Sequence, residues 1–362
     1  MAFGPSGGQT SEPGVESAAA ATSTTTDRPR KRYWRMATML RLAFAVALTA
    51  ITFWMSEPRA VLAATRNALV LPLLAVVALV AIDRAITAQR WLVLLRPFID
   101  RGAVSVGVVL RVFFVSSFLG TFLPAVVGAD SVRVLALSRY EIRGSDVLAS
   151  VLVDRLLGVL AIVLAAALGL VLSATFRSEP SVLAAVGLMS TGCVVAGAFV
   201  FSGRLQNRIR RLSLRLPLPR WRLLAERLTT ALQAYARRTP ALAQVVILSL
   251  GLQVLRVLQA YGIGISLGMT APLGAYFAIV PLVLLVMLLP ISISGLGTTQ
   301  LAFVWFFGQV GVGAPQAFAL SVLFLALGVI GNLPGAFMYT RWGLPAGQSD
   351  PPTERLAPPP AA

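Results

Sequence analysis

Apolar residues run in blocks of about 20 along most of this chain, and short arginine-rich segments separate them. An α-helix of that length crosses the hydrocarbon core of a bilayer. The pattern predicts helices at 36–55, 68–88, 104–123, 129–140, 146–172, 181–202, 241–267, 274–290, 296–311 and 315–340. The fold class expected is all-α: a polytopic helical membrane protein in which a transmembrane domain spans 36–341.

Two of the apolar blocks break in the same way. The first reads Phe122-Leu123-Pro124-Ala125-Val126-Val127-Gly128-Ala129-Asp130-Ser131-Val132-Arg133. The second reads Leu289-Pro290-Ile291-Ser292-Ile293-Ser294-Gly295-Leu296-Gly297-Thr298-Thr299-Gln300. Proline removes a helical hydrogen bond and glycine lets the backbone turn. Within lipid, backbone groups freed in this way persist only when buried in protein or facing a wet cavity. Matched Gly/Pro breaks in two halves of a membrane protein point to a transporter's binding site. Ordinary interhelical loops are the plainer alternative. On the first reading, Pro124, Gly128, Pro290, Gly295 and Gly297 supply the unwound backbone of two hairpin tips.

Arginine counting sets the topology. Arg28, Arg30, Lys31, Arg32 and Arg35 precede the first block, which places the N-terminus in the cytoplasm. Arg59 and Arg66 follow that block and fall outside, whereas Arg90, Arg96 and Arg101 follow the second and fall inside. The segment 203–240 carries ten arginines against the single acid Glu226, so it too is inside. Parity then requires 104–123 and 129–140 to enter and return as one hairpin. The pair 274–290 and 296–311 enters from the opposite side, and Arg341 returns to the cytoplasm. About six full spans and two oppositely oriented re-entrant hairpins result, an inverted-repeat arrangement with tips meeting near the midplane.

Composition agrees with this reading. The chain of 362 residues is 57% hydrophobic and 12% charged, with a mean hydropathy of +0.81. The net charge of +17 sits between the apolar blocks and does not call for nucleic acid. The absence of histidine excludes histidine acid/base and metal chemistry, and the lone Cys193 excludes an internal disulfide. No cofactor or metal is expected. Residues 1–35 read as a disordered cytoplasmic tail and 342–362 as a Pro-rich one. In 203–240, Leu205, Ile209, Leu212 and Leu216, then Trp221, Leu224, Leu228 and Leu232, recur near helical spacing. They suggest amphipathic helices on the inner leaflet, near anionic headgroups.

Charges at bilayer depth cost roughly 2.5–3.5 kcal/mol each on insertion scales, so each is a candidate site residue. Arg111 lies in the inward arm of the first hairpin. Asp130 and Arg133 follow its tip at i and i+3. Asp154 and Arg155 lie within the next span, where a structural pair near the inner interface is a second reading. Gln253, Arg256 and Gln259 step by three and share one polar arc. Asp83 and Arg84, at the end of the second predicted helix, read as interfacial. Arg111, Arg133, Arg155 and Arg256 face Asp130 and Asp154, which leaves positive charge suited to phosphate. Gln300 adds a neutral hydrogen bond.

The blocks Leu123-Pro124, Gly128, Asp130 and Arg133, then Asp154-Arg155, then Leu289-Pro290, Ser292, Gly295 and Gly297 resemble the transmembrane flippase-like domain of the lysylphosphatidylglycerol synthase family. The resemblance covers roughly 40–340 and implies a lipid-translocating domain of the bacterial plasma membrane. With a Pro-rich tail read after residue 341, a stand-alone member without that family's soluble aminoacyl-transferase domain is expected. Where the family commonly shows Arg-Glu after the second glycine pair, this chain has Thr299-Gln300.

The function expected is a transporter, not an enzyme, that moves a phosphate-headed lipid between leaflets. Its partners would be membrane lipids with anionic headgroups and a separate synthase or glycosyltransferase. Arg133, Arg155 and Arg256 would contact phosphate, while Asp130 and Asp154 orient the guanidiniums. The alternatives are an integral-membrane glycosyl- or phosphotransferase and a non-transporting scaffold. A transferase needs paired acids at a membrane face, which the loops with Glu57 and Glu179 do not offer.

Overall fold

The computed structural model describes residues 46–99, 104–122, 128–140, 142–173, 178–204, 238–288 and 295–343, with Ala43, Phe176, Arg208, Arg211 and most of 226–235. Both tails, most of the basic segment and the two hairpin tips, including Pro124 and Pro290, lie outside the described residues.

Among the described residues there is no strand. The helices are α1 (Val46–Met55), α2 (Pro58–Arg66), α3 (Val70–Ile99), α4 (Val106–Phe122), α5 (Gly128–Ser138), α6 (Gly144–Leu172), α7 (Pro180–Phe201), α8 (Thr239–Ser266), α9 (Leu273–Leu288), α10 (Thr298–Gly308), α11 (Ala314–Ile330) and α12 (Leu333–Trp342). Val70–Arg96, Gly144–Val171, Thr239–Ser266 and Ala314–Trp342 are long and apolar enough to cross a bilayer. The chain is a polytopic helical membrane protein. α5 and α10, with 11 residues each, reach only about 16 Å. That is half of the ~30 Å hydrocarbon core, so each can only be the short arm of a hairpin.

The packing repeats when the first half is exchanged for the second. α4 packs on α5 as α9 packs on α10, and α5 on α6 as α10 on α11. α6 meets α9 as α12 meets α4, α3 meets α6 as α8 meets α11, and α7 meets α6 as α2 meets α11. The helices that precede the two hairpins, α3 and α8, pack on each other. They run antiparallel, since Ser266 Oγ donates to the Leu69 carbonyl, Gln259 Nε2 to the Leu79 carbonyl and Arg90 Nη1 to Ser249 Oγ. Equivalent helices packed antiparallel are related by a two-fold axis perpendicular to them, which inverts one half relative to the other.

The larger apolar core joins α3, α6 and α8–α11 around Tyr276, Phe303 and Phe307. A second packs Trp91 and Phe113 with residues of α3–α6. Small residues allow the close helix approaches. A Cβ on Gly335 would strike the Phe114 carbonyl, so α12 lies directly on the α4 backbone.

Two sequence expectations need correction. The second helix does not stop at 88 but continues to Ile99. Arg90 and Arg96 interrupt the apolar run without interrupting the helix, because arginine is a good helix former and 70–99 contains no glycine. Asp83 therefore sits near the middle of α3, fully buried, and is not interfacial. Leu232, expected on the membrane surface, is buried with Tyr235 against Leu94, Val153 and Val245. Tyr235 Oη donates to the Leu94 carbonyl at 2.7 Å, which anchors that end of the basic segment to the helical core. The other apolar positions assigned to amphipathic helices lie outside the described residues.

Candidate functional site

The charges within the helical bundle form two clusters. The first lies where α3, α5, α6 and α8 converge. Arg90 of α3 forks onto Asp154 of α6, with Nε to Oδ1 at 2.7 Å and Nη2 to Oδ2 at 3.0 Å. Its Nη1 donates to Ser249 Oγ at 3.1 Å. Asp154 is 10 residues into the 29-residue α6, about 15 Å from its start, so the pair lies inside a membrane-length helix. At that depth a planar, bidentate pair satisfies both charged groups where water cannot.

Asp130, in the first turn of α5, accepts from two arginines. Arg133 Nη1 reaches Oδ1 at 3.4 Å, while Arg155 Nε and Nη2 reach Oδ2 at 3.1 and 2.8 Å. Arg133 is otherwise enclosed. Its Nε donates to Ser116 Oγ at 3.1 Å and its Nη2 to Ser117 Oγ at 3.4 Å. Its guanidinium carbon lies 5.1 Å from the Trp91 ring centroid and 4.9 Å from that of Phe113. Each such contact contributes about 0.5–2 kcal/mol. Arg133 thus locks α5 against α4 and α3 and fixes Asp130. Arg155 differs: its side chain is 54% exposed, against 11% for Arg133. Three guanidiniums meet two carboxylates here, so one positive charge is uncompensated, and Arg155 is the arginine that a ligand could reach.

The second cluster straddles the α3–α8 contact. Arg256 Nε lies 3.4 Å from Asp83 Oδ1, an ion pair not aligned as a hydrogen bond, and Oδ1 is buried without one. The Arg256 side chain is 26% exposed. The neighbouring Arg84 Nη2 donates to the Gly328 carbonyl at 3.2 Å. Net charge is again one positive, from two arginines and one aspartate.

The remaining candidates play other parts. Arg111 joins neither cluster: its Nη2 donates to the Trp342 carbonyl at 2.9 Å and its guanidinium lies 5.7 Å from that indole. It thus satisfies a carbonyl at the end of α12 and complements that helix's dipole. Gln300 turns its Oε1 to the Gly297 N–H at 2.6 Å, the one half of a capping box that a glycine N-cap allows, at the start of α10 after the second tip. Gly295 and Gly297 have φ of +77° and +81°, values that side chains with a Cβ rarely adopt, so glycine is required there. Gly128 is the first residue of α5 and is buried. The polar arc of α8 divides: Arg256 and Gln259 meet α3, while Gln253 lines a cavity between α6, α8 and α9.

Residues 38–335 match the family model of the lysylphosphatidylglycerol synthase transmembrane region. The chain belongs to this family. The match takes in both hairpins and both charge clusters, and it connects the fold to membrane lipid. No curated protein and no solved structure matches the chain.

Sequence reasoning missed Arg90 and underrated Asp83, Arg84 and the aromatic clamp of Trp91 and Phe113. Reading α3 to its end would have placed Arg90 and Trp91 in the helix and Asp83 near its middle. Asp83 and Arg90 are seven residues apart on one face of an uninterrupted apolar helix.

Proposed function

We propose that this family member moves a phosphate-headed lipid between leaflets, with the headgroup received at the α5–α6 seam on Arg155. The observation that carries this reading is the half-exposed guanidinium of Arg155 in a cluster with one more guanidinium than carboxylate. Arg155 is held by Asp130 yet remains half exposed. Arginine's planar fork suits phosphate oxygens, and the first turn of α5 carries the Asp130 that holds it. Arg90 and Arg133 are positioning residues, since their donors are already committed to Asp154, Ser249, Asp130, Ser116 and Ser117. Arg256 offers a second contact along the route. The acyl chains stay in lipid while the headgroup crosses.

Transport is favoured over a transferase because both carboxylates of the α5–α6 cluster are tied to guanidiniums, which leaves neither free as a base. We place the protein in a plasma membrane with both termini cytoplasmic, as its arginines require, and a separate synthase or glycosyltransferase would supply the lipid.

Purified protein in liposomes, with fluorescent phospholipids and a leaflet-selective quencher, tests the reading. Wild type should equalise the leaflets, and Arg155→Gln should abolish this while retaining the fold. Unchanged scrambling by Arg155→Gln would remove the site proposed.

A further inference from the structure

Three aspartates take part in the two charge clusters, and one of them is served differently. Asp154 accepts two N–H groups from Arg90, and Asp130 accepts three from Arg133 and Arg155. Asp83 is 3% exposed, and its Oδ1 accepts none. Its counter-charge is Arg256, whose Nε lies 3.4 Å away and out of hydrogen-bond alignment. Donors within a turn are spent on backbone carbonyls: Thr87 Oγ1 on that of Asp83 itself, and Gln259 Nε2 on that of Leu79. A buried carboxylate is normally hydrogen-bonded as well as paired, because a bare lone pair has lost its hydration for nothing in return. Asp83 thus depends on one loosely held guanidinium.

No other charge in the described helices is placed to replace that guanidinium. Arg84 is adjacent on α3, points about 100° away and gives its Nη2 to the Gly328 carbonyl. Its Nε is closed in against Gly331, where an added Cβ would come within 3.0 Å of it. Besides α8, α3 packs on α4, α6 and α11. The one charge of α4, Arg111, is bonded to the Trp342 carbonyl. On α6, Asp154 is taken by Arg90 and Arg155 by Asp130, and Asp146 lies in the first turn, eight residues before Asp154. α11 has no ionisable residue. On α8 itself, Tyr261 sets its ring edge-on to Tyr276.

Arg256 is also an arginine that a ligand can draw away, since its side chain is 26% exposed and its hold on Asp83 is weak. A phosphate seated on it changes the surroundings of Asp83 twice over. It takes up the counter-charge at Oδ1. Held on the outer edge of the same guanidinium, it also brings a second anion to about 4–6 Å, close enough for like charge to oppose ionisation. A buried carboxylate without a partner is neutralised rather than left charged.

We propose that Asp83 is a proton site linked to anion binding at Arg256. The proposal rests on the reading of Arg256 as a contact for the lipid phosphate and adds a co-bound proton to it. When the headgroup takes Arg256, one O–H bond forms on Asp83 with a proton drawn from solvent through the loosened contact, and Arg256 keeps its charge. When the headgroup leaves, Arg256 returns and the proton is released. Linkage makes the effect reciprocal: protonation of Asp83 tightens anion binding by the factor by which the anion favours protonation. Lipid and proton are then carried together, so a pH difference across the membrane biases the direction in which an anionic lipid moves.

Calorimetric titration of the full-length protein in detergent tests this. The probe is a short-chain phosphatidylglycerol, whose phosphodiester stays ionised across the neutral range. Heats measured in two buffers of different ionisation enthalpy count the protons taken up. Wild type should take up as much as about one proton per lipid. Its affinity should rise as pH falls, by at most ~10-fold per pH unit, because the bound form holds the extra proton. Asp83→Asn, which imitates the protonated acid, should bind at least as tightly as wild type at the lowest pH, with no proton uptake and a flat pH profile. Arg256→Gln should lose both the uptake and the pH dependence. Binding without proton uptake by wild type overturns the proposal with no variant needed. Uptake that persists in Asp83→Asn or Arg256→Gln overturns it too, as does a sodium dependence in place of proton uptake. Scrambling of labelled phosphatidylglycerol in vesicles keeps the two readings apart. Scrambling with no proton uptake refutes the Asp83 site alone, and uptake without scrambling refutes transport alone.

Discussion

Removing one member of the Arg90–Asp154 pair should destabilise the protein more than removing both. The pair is buried and bidentate, with contacts at 2.7 and 3.0 Å and Ser249 on the remaining nitrogen. Arg90→Met leaves Asp154 charged and unpaired in the bundle, and Asp154→Leu does the same to Arg90. Such a break costs about 3–5 kcal/mol, whereas replacing both charges by well-packed apolar residues is often neutral or stabilising. At ~2 °C per kcal/mol for a large domain, each single variant should lose roughly 6–10 °C in Tm. The double variant Arg90→Met/Asp154→Leu should return to within a few degrees of wild type. The resulting coupling energy, at least ~3 kcal/mol, is well above the scatter expected of independent sites. Thermal unfolding of detergent-solubilised protein, followed by fluorescence-detected size exclusion, measures all four corners of the cycle. If either single variant melts with wild type, or the double variant melts no higher than the worse single, the pair does not hold α3 to α6 as argued.

Three further outcomes follow from the same geometry. Arg155→Lys should retain part of the scrambling that Arg155→Gln loses, because lysine keeps the charge and loses the fork; loss should be ~10-fold or more for glutamine, read by dithionite quenching of labelled lipid. Gly297→Ala should lower stability by about 1–2 kcal/mol through backbone strain at φ +81°, and Gln300→Ala by about 1 kcal/mol through loss of the cap, both read as Tm shifts. Arg111→Ala should destabilise α12 yet leave headgroup binding unchanged, seen as faster proteolysis after Trp342 with normal phospholipid scrambling.

The fold was legible because its signals are backbone signals. Leu-Pro followed by glycine marks both hairpins, and the arginine counts force them to enter from opposite sides. The short arms α5 and α10 agree with that reading, as does the antiparallel contact of α3 with α8. The partners of individual charges were not legible. Asp154 and Arg155 are adjacent in sequence, yet adjacent helical positions point about 100° apart. Asp154 therefore turns to Arg90 and Arg155 to Asp130. Hydropathy also closed α3 too early, because a buried charge and a loop charge lower a window average alike. What separates them is the partner across the bundle, Asp154 for Arg90 and Arg256 for Asp83, and that is tertiary information.

The two halves share a backbone plan but not its chemistry. After the first tip, the opening turns of the short arm carry Asp130 and Arg133, which tie α5 to α4 and to Arg155. After the second tip, the corresponding turn carries Thr299 and Gln300, and the glutamine caps its own helix. The described turn after the second tip is thus neutral and self-capped, where the one after the first is charged. The departure at Thr299-Gln300 is thus consistent with an intact hairpin, since the backbone need is met by an amide as well as by an ion. What it changes is electrostatic: a phosphate arriving at Arg155 would meet no opposing carboxylate from α10. Restoring a charge pair with Thr299→Arg/Gln300→Glu should therefore preserve the fold while slowing anionic-lipid scrambling relative to zwitterionic lipid. If both lipids slow equally, α10 does not face the headgroup's path.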